Sequence, residues 1–362
     1  MADPRPARDP ASPLGPRPWR RFLPPALFLI VVLVGWLWRQ PDARVLSTFR
    51  GQAQGTTWVV KIVTPAPLTG DQNVAAGRLI DREIQAIDVA MSTWRKDSEI
   101  SRFNALQATT PFPASEGFRT VVALAEDVSK ASGGVFDVTV GPLVEAWGFG
   151  PDGVQRIPDE PTLAAIRERV GYQRLHIEGE ALRKEVASAH VDLSAIAQGY
   201  TVDRILEALV AAGYTDLFVE VGGETRARGQ SEAGRPWQVG IERPLADEQT
   251  VHRIVPLVDT SLATSGDYRR YREQDGQRVS HTIDPRTGRP IRHHLASVTV
   301  LHARCALADA WATALNVLGP DEGYALAERL GLAALFLVRD PAGGWQEKAT
   351  PAFEAVAGQQ PR

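Results

Sequence analysis

The 362-residue sequence contains a single cysteine, Cys305. That scarcity excludes an intramolecular disulfide, a zinc site built on cysteine pairs and an iron–sulfur cluster held by this chain alone. An excess of one charge is also missing, since 40 basic side chains face 43 acidic ones and the formal net charge is −3. No global basic field is available to bind nucleic acid, so no such partner is expected and phosphate chemistry requires a local site. Internal repeats and long linkers are absent between residues 45 and 350. With 44 % hydrophobic residues the chain can build a sizeable core, which rules out a fibrous or wholly disordered protein.

The first forty residues differ from the rest. Residues 1–21 are rich in proline and arginine (Arg5, Arg8, Arg17, Arg20, Arg21) and have no apolar periodicity; they read as a disordered basic tail. Residues 22–38, FLPPALFLIVVLVGWLW, carry no charge over 17 positions, at the short end of what spans a bilayer. The basic residues precede this run, which places the tail in the cytoplasm and everything after Arg39 across the membrane. No small-residue cleavage motif follows and no cysteine lies nearby to be lipidated, so an uncleaved transmembrane signal anchor is expected. Residues 1–39 carry a net +4, leaving −7 on the remainder. The expectation is a mildly acidic domain on the periplasmic side of the inner membrane, tethered by one span.

In the exported part, TWVVKIVT (57–64) predicts a strand by its β-branched content. The spacing of Ile80, Ile84, Ile87 and Met91 predicts a helix over 72–91. A helix over 116–131 gathers Phe118, Val121, Val122, Ala125 and Val128 and stops at Gly133 and Gly134. Further helices are expected over 161–170, 195–212, 306–317 and 320–330, and strands over 217–221, 237–242, 297–302 and 334–339, the last of them. Residues 351–362 read as a disordered tail. Strands and helices alternate irregularly, which predicts an α+β fold: a single compact domain over 45–350 with a mixed β-sheet and flanking helices.

The chemistry-bearing residues gather in polar, glycine-containing patches. Asp192 stands before a helix whose free N–H groups favour a phosphate, unless Asp192 or Ser194 caps that helix. In ALADAWATAL (306–315), Asp309 and Thr313 share a helix face at i and i+4. They suit a hard cation such as Mg²⁺, completed by backbone carbonyl, water and phosphate oxygens, or else a buried Asp–Thr hydrogen bond. His281, near Asp284, is a candidate base or a structural histidine. Thr264, Ser265, Asp267 and Tyr268 form a donor-rich stretch that also fits a tight turn. Gly222 and Gly223 serve either backbone conformation or close approach to a ligand.

Taken in order, MSTWRKDSEISRFN (91–104), FDVTVGPLVEAWGFG (136–150), VDLSAIAQGYTVD (191–203), VGGETRARG (221–229), ATSGDYRRY (263–271), SHTIDPRTGRP (280–290) and ADAWATAL (308–315) resemble the ApbE family of FAD:protein FMN transferases, from about residue 51 to 339. The resemblance implies an ApbE-like domain that takes FAD as substrate, cleaves its pyrophosphate, joins FMN by a phosphoester to a threonine hydroxyl of a target protein and releases AMP. It implies Mg²⁺ held by Asp309, Thr313 and the backbone carbonyl of Ala195. Flavin-nucleotide contacts are implied at Gln54, Trp94, Val135, Phe136, Asp137, Asp192, Gln198 and Ile283. His281 is the candidate base for the threonine proton, from its place two residues before Ile283. The implied partner is a threonine-bearing exported acceptor protein of a membrane redox complex. Gln54 stands where the family commonly has methionine, and Gln198 where lysine or glutamate is frequent; an amide can still hydrogen-bond adenine or ribose. Two other readings use the same residues: an FAD pyrophosphatase, with water replacing threonine, and a non-catalytic periplasmic FAD-binding or delivery protein.

Overall fold

The structure, a computed structural model, describes residues 43–150, 157–245, 250–266, 271–274 and 277–358. The expected basic tail (1–21) and anchor (22–38) lie outside the described residues, as do Asp267 and Tyr268. No helix among the described residues is long and apolar enough to cross a membrane. Every element below belongs to one compact unit, Arg44–Arg362.

Eight strands lie side by side in chain order: β1 (Val45–Ala53), β2 (Thr56–Thr64), β3 (Asp216–Val221), β4 (Glu224–Arg228), β5 (Thr260–Gly266), β6 (Leu295–His302), β7 (Ala333–Arg339) and β8 (Trp345–Ala349). Each neighbouring pair is antiparallel. The fold is α+β as expected, but the sheet is antiparallel throughout rather than mixed. Its helices are excursions between neighbouring strands, so no connection has to carry the chain back to start a parallel strand.

The helices are α1 (Gly70–Met91), α2 (Glu99–Ala105), α3 (Glu116–Ala131), α4 (Gly141–Ala146), α5 (Glu160–Arg167), α6 (Ala197–Ala211), α7 (Cys305–Leu330) and α8 (Pro351–Ala357). Alternation along the strands decides which side each residue serves. On one face Val60, Ile62, Leu217 and Val219 bury against Ile80 and Ile84 of α1 and Ile205 and Leu209 of α6. Further along that face, α7 packs against β5 and β6, with α3 behind it. On the other face Phe218 meets Trp237 at 5.4 Å between ring centroids, within a cluster closed by the hairpin Trp237–Glu242/Val251–Leu257 and by Phe353 of α8.

The two helices expected over 306–330 form one run bent at Gly319 (φ 81°) ahead of Pro320, because proline removes a helix hydrogen bond and glycine absorbs the turn. The expected tail after 350 instead opens with α8. Thr350 caps it by accepting from the Phe353 N–H, and Phe353 is fully buried, so this segment belongs to the core. Neither β1 nor β8 was expected from the sequence.

Candidate active site

Two helices meet at the centre of the candidate site. Gly199, in the first turn of α6, lies against the start of α7, where a Cβ would stand 2.5 Å from the Cys305 carbonyl oxygen. A side chain of any size would therefore force the helices apart. At this approach the Gly199 N–H donates to Asp309 Oδ2 at 3.2 Å. Asp309 is buried, and desolvation raises its carboxyl to a pKa of about 7 against the opposing pull of that one hydrogen bond. Among the described residues no hydrogen bond joins Asp309 to Thr313, so the buried Asp–Thr pair is not formed. A buried carboxylate met by a single N–H, with a hydroxyl one turn away and the Ala195 segment beside it, is a set of hard oxygen donors that fits a divalent cation. Among the described residues no group of three or more His, Cys, Asp or Glu side chains forms a metal cluster. Such a cation would thus draw most of its ligands from carbonyl, water and substrate oxygens, the manner of Mg²⁺.

Asp203, which the sequence reading did not single out, fixes where α7 begins. It is almost wholly buried and accepts from the Cys305 N–H (2.8 Å) and the Ala306 N–H (3.0 Å), while Arg226 Nη1 pairs with it at 2.6 Å. A carboxylate from a neighbouring helix thus does the work of an N-cap, satisfying two free N–H groups at the positive end of α7. Asp203→Ala should destabilise the protein by about 2–4 kcal/mol, because it uncaps the helix end and leaves the Arg226 guanidinium only its longer pair with Glu207 at 3.6 Å. Chemical denaturation checks this, and a loss below about 1 kcal/mol would contradict the assignment. The available sequence signal was an acid within the apolar stripe of a helix.

The loop carrying Asp192 is stitched to two other patches. Its backbone N–H donates to the Val138 carbonyl at 2.7 Å, and Asn104 forms a reciprocal pair with the Val191 backbone at 2.9 and 2.8 Å. Lys184, buried and with no carboxylate partner among the described residues, donates to the carbonyls of Phe103, Asn104 and Ala189; burial lowers its pKa. Asp192 Oδ1 accepts from the Ser194 N–H at 2.9 Å, and α6 has no side-chain cap. Neither Asp192 nor Ser194 caps the helix, and Asp192 stays half-exposed beside its N-terminus.

Gln54 sits at the two-residue tip of the β1–β2 hairpin with φ 54°, followed by Gly55 at 73°. Its Nε2 donates to Thr201 Oγ1 at 2.9 Å. The Thr201 hydroxyl hydrogen already goes to the Ala197 carbonyl at 2.8 Å, so Thr201 can only accept. The facing atom of Gln54 is therefore nitrogen, and Oε1 is left buried without a partner among the described residues. Gln198 lies close by, where a Cβ on Gly222 (φ 66°) would come within 3.0 Å of its Nε2. Both unusual glutamines thus flank the first turns of α6. Beside Gln54, between β1 and the second half of α1, opens a polar cleft of about 490 Å³.

Other expected contact residues are placed differently. Val135 and Phe136 are buried in the main core and Ile283 in a second cluster with Leu143 and Trp147. What these positions can offer a ligand is backbone. Asp137 is a structural tie: Oδ1 accepts from the Thr139 N–H and hydroxyl at 2.8 and 2.6 Å, and Oδ2 from the Tyr172 N–H at 2.8 Å. Those bonds hold the segment in place, and burial raises the carboxyl pKa. Trp94 is 77 % exposed, an open aromatic face on the loop after α1. His281 is half-buried, edge-on to Phe149 at 6.4 Å. Its neighbour Thr282 Oγ1 accepts from Asn316 Nδ2 at 3.4 Å, which docks the histidine loop on the helix that carries Asp309 and Thr313. Thr264 Oγ1 meets Thr299 Oγ1 across β5 and β6 at 2.8 Å.

The sequence model of the ApbE family matches residues 54–336. A Vibrio cholerae protein named FAD:protein FMN transferase is 41 % identical over 305 residues, covering 84 % of this chain and 90 % of that protein. Its Escherichia coli K12 namesake is 35 % identical over 303 residues, 82 % and 86 % of the two chains. Among solved structures, the apo crystal structure of the Pseudomonas stutzeri flavinyl transferase ApbE superposes with a TM-score of 0.80 at 40 % identity, covering 88 % of this chain and 98 % of that one. The chain belongs to the ApbE family. It is a transferase.

Proposed function

We propose that this chain is an Mg²⁺-dependent FAD:protein FMN transferase that attaches FMN through a phosphoester to a threonine of an exported acceptor protein and releases AMP. The observation that carries this reading is the buried Asp309 carboxylate, held by the Gly199 N–H where the Asp192, Gln198 and Ala195 segment meets α7. The names of the relatives agree with it.

A threonine hydroxyl is a weak nucleophile, so the residues must align it, hold the pyrophosphate and take a proton. The threonine Oγ bonds to the phosphorus on the FMN side as the bond from that phosphorus to the bridging oxygen breaks, and AMP leaves with that oxygen. A Mg²⁺ held by Asp309, Thr313 and the Ala195 carbonyl would supply positive charge opposite the pyrophosphate oxygens. Asp192 and the start of α6 orient the nucleotide, Gln198 gives it an amide contact, and the Trp94 ring offers a stacking face. His281 receives the threonine proton on an imidazole nitrogen. On this reading His281→Ala lowers kcat by about 10²–10⁴-fold and leaves the Kd for FAD within about twofold. Flavin fluorescence titration beside single-turnover transfer measures both, and equal losses in the two would make His281 a binding residue.

The uncharged run 22–38 with its preceding arginines supports a single-pass anchor in the inner membrane, with the transferase domain on the periplasmic side. Subunits of membrane redox complexes are acceptors of the matching location.

A further inference from the structure

We propose that the acceptor polypeptide binds as an added strand along the open edge of β1, in the cleft that leads to Gln54. This proposal rests on the transferase reading. Among the described residues β1 has only β2 beside it in the sheet. In a two-residue hairpin the pair flanking the turn, here Ala53 and Thr56, is hydrogen-bonded, and pair types alternate from there. The register then turns the N–H and C=O groups of Gly51 and Phe49 toward Trp58 and Val60 of β2, and those of Gln52, Arg50 and Thr48 outward. An edge of this kind accepts an extended peptide by backbone pairing.

The cleft runs beside this edge. Arg50 and Gln52 of β1 and Gln54 of the hairpin tip line it on one side, and Asp81, Gln85 and Asp88 of α1 on the other. With Asp88 paired to Arg95 and Asp81 facing Arg50, the cleft offers no net positive charge to a pyrophosphate, whereas its amides and carboxylates match the N–H donors and small polar or basic side chains of a polypeptide. At the inner end, Gln54 Oε1 is buried without a partner among the described residues, and Thr201 forces that atom to be the oxygen. An acceptor oxygen there calls for a donor, which a peptide N–H or a hydroxyl supplies and a phosphate does not. On the α1 wall, Asp88 pairs with Arg95, the neighbour of Trp94, at 3.3 Å. An extended segment in the cleft would bring its hydroxyl side chain to the hairpin tip, beside the start of α6.

Arg50→Pro tests the pairing, because it deletes one outward N–H and leaves the β1–β2 hydrogen bonds in place; edge strands tolerate proline. Asp81→Lys tests the cleft without altering β1. Each full-length variant is assayed with a recombinant acceptor protein that the wild-type chain flavinylates. The expected result for Arg50→Pro is an acceptor KM raised by about tenfold or more, with kcat and the Kd for FAD within about twofold; Asp81→Lys raises the acceptor KM in the same direction. An unchanged acceptor KM in folded Arg50→Pro overturns the proposal. So does a Kd for FAD that rises in step, which would give the cleft to the nucleotide. If Arg50→Pro fails to fold, Asp81→Lys decides by the same two readouts. A wild-type chain that transfers no FMN to any acceptor overturns the transferase reading itself, whereas transfer by wild type with unchanged variants overturns this proposal alone.

Discussion

Asp309→Asn should lower FMN transfer by about 10³-fold or more while leaving the fold intact. The carboxylate is the one formal negative charge in the proposed Mg²⁺ site, and asparagine keeps its shape. The metal-free wild-type protein should also lose stability with rising pH in a way the variant does not. Burial raises the Asp309 carboxyl from near 4 in the unfolded chain to about 7 in the folded one. Between those values the folded state binds more protons than the unfolded state, so this contribution is fully present below about pH 4 and is lost as pH rises through about 7. The loss is on the order of 1–4 kcal/mol. Thermal melts in EDTA from pH 5 to pH 8 would show it, and Mg²⁺ should restore the lost stability at the alkaline end, because the ion binds the deprotonated carboxylate. Equal pH dependence in wild type and Asp309→Asn would contradict the assignment, as would an undiminished transfer rate.

Gly199→Ala should be nearly as damaging, by another route. One methyl group placed 2.5 Å from the Cys305 carbonyl oxygen cannot be absorbed by a flexible side chain, since the obstacle is backbone. The α6–α7 crossing must open, at a cost of about 1–3 kcal/mol for overpacking, and the Gly199 N–H draws away from Asp309. A shift of about 1 Å in a catalytic group can cost 10²-fold in rate. The expected pattern is a melting temperature lowered by several degrees together with a roughly hundredfold loss of transfer. A variant of unaltered stability and activity would show that the helices do not need this contact.

Strongly periodic elements were legible in the sequence. The helix over 116–131 is bounded by a serine cap and paired glycines, and α1 and β2 declare themselves by isoleucine spacing and β-branched content. β5, reading TSLATSG, was not legible, because apart from its two threonines it has no β-branched or aromatic residue, and its pairing with β4 and β6 supplies what the local sequence lacks. β1 and β8 are edge strands with half-exposed residues, so neither offers an apolar run. The site divided along similar lines. Asp309 and Thr313 could be paired by helical spacing, and Asp192 by its place before a helix. Asp203 and Gly199 could not be given roles, because what each does depends on a helix a hundred residues away. For Asp137, its place in a family segment marked the position, while its ties to Thr139 and Tyr172 depend on the three-dimensional path of the chain.

The intact mass of an acceptor reports FMN transfer most directly. The full-length chain in mild detergent is incubated with FAD, Mg²⁺ and a recombinant periplasmic redox subunit bearing an exposed threonine, and released AMP is measured in the same tube. The account predicts a mass gain of one FMN on the acceptor, one AMP per modified chain, and loss of both when EDTA is added. AMP without a mass gain on any threonine-bearing acceptor, or bound FAD with neither product, would contradict it.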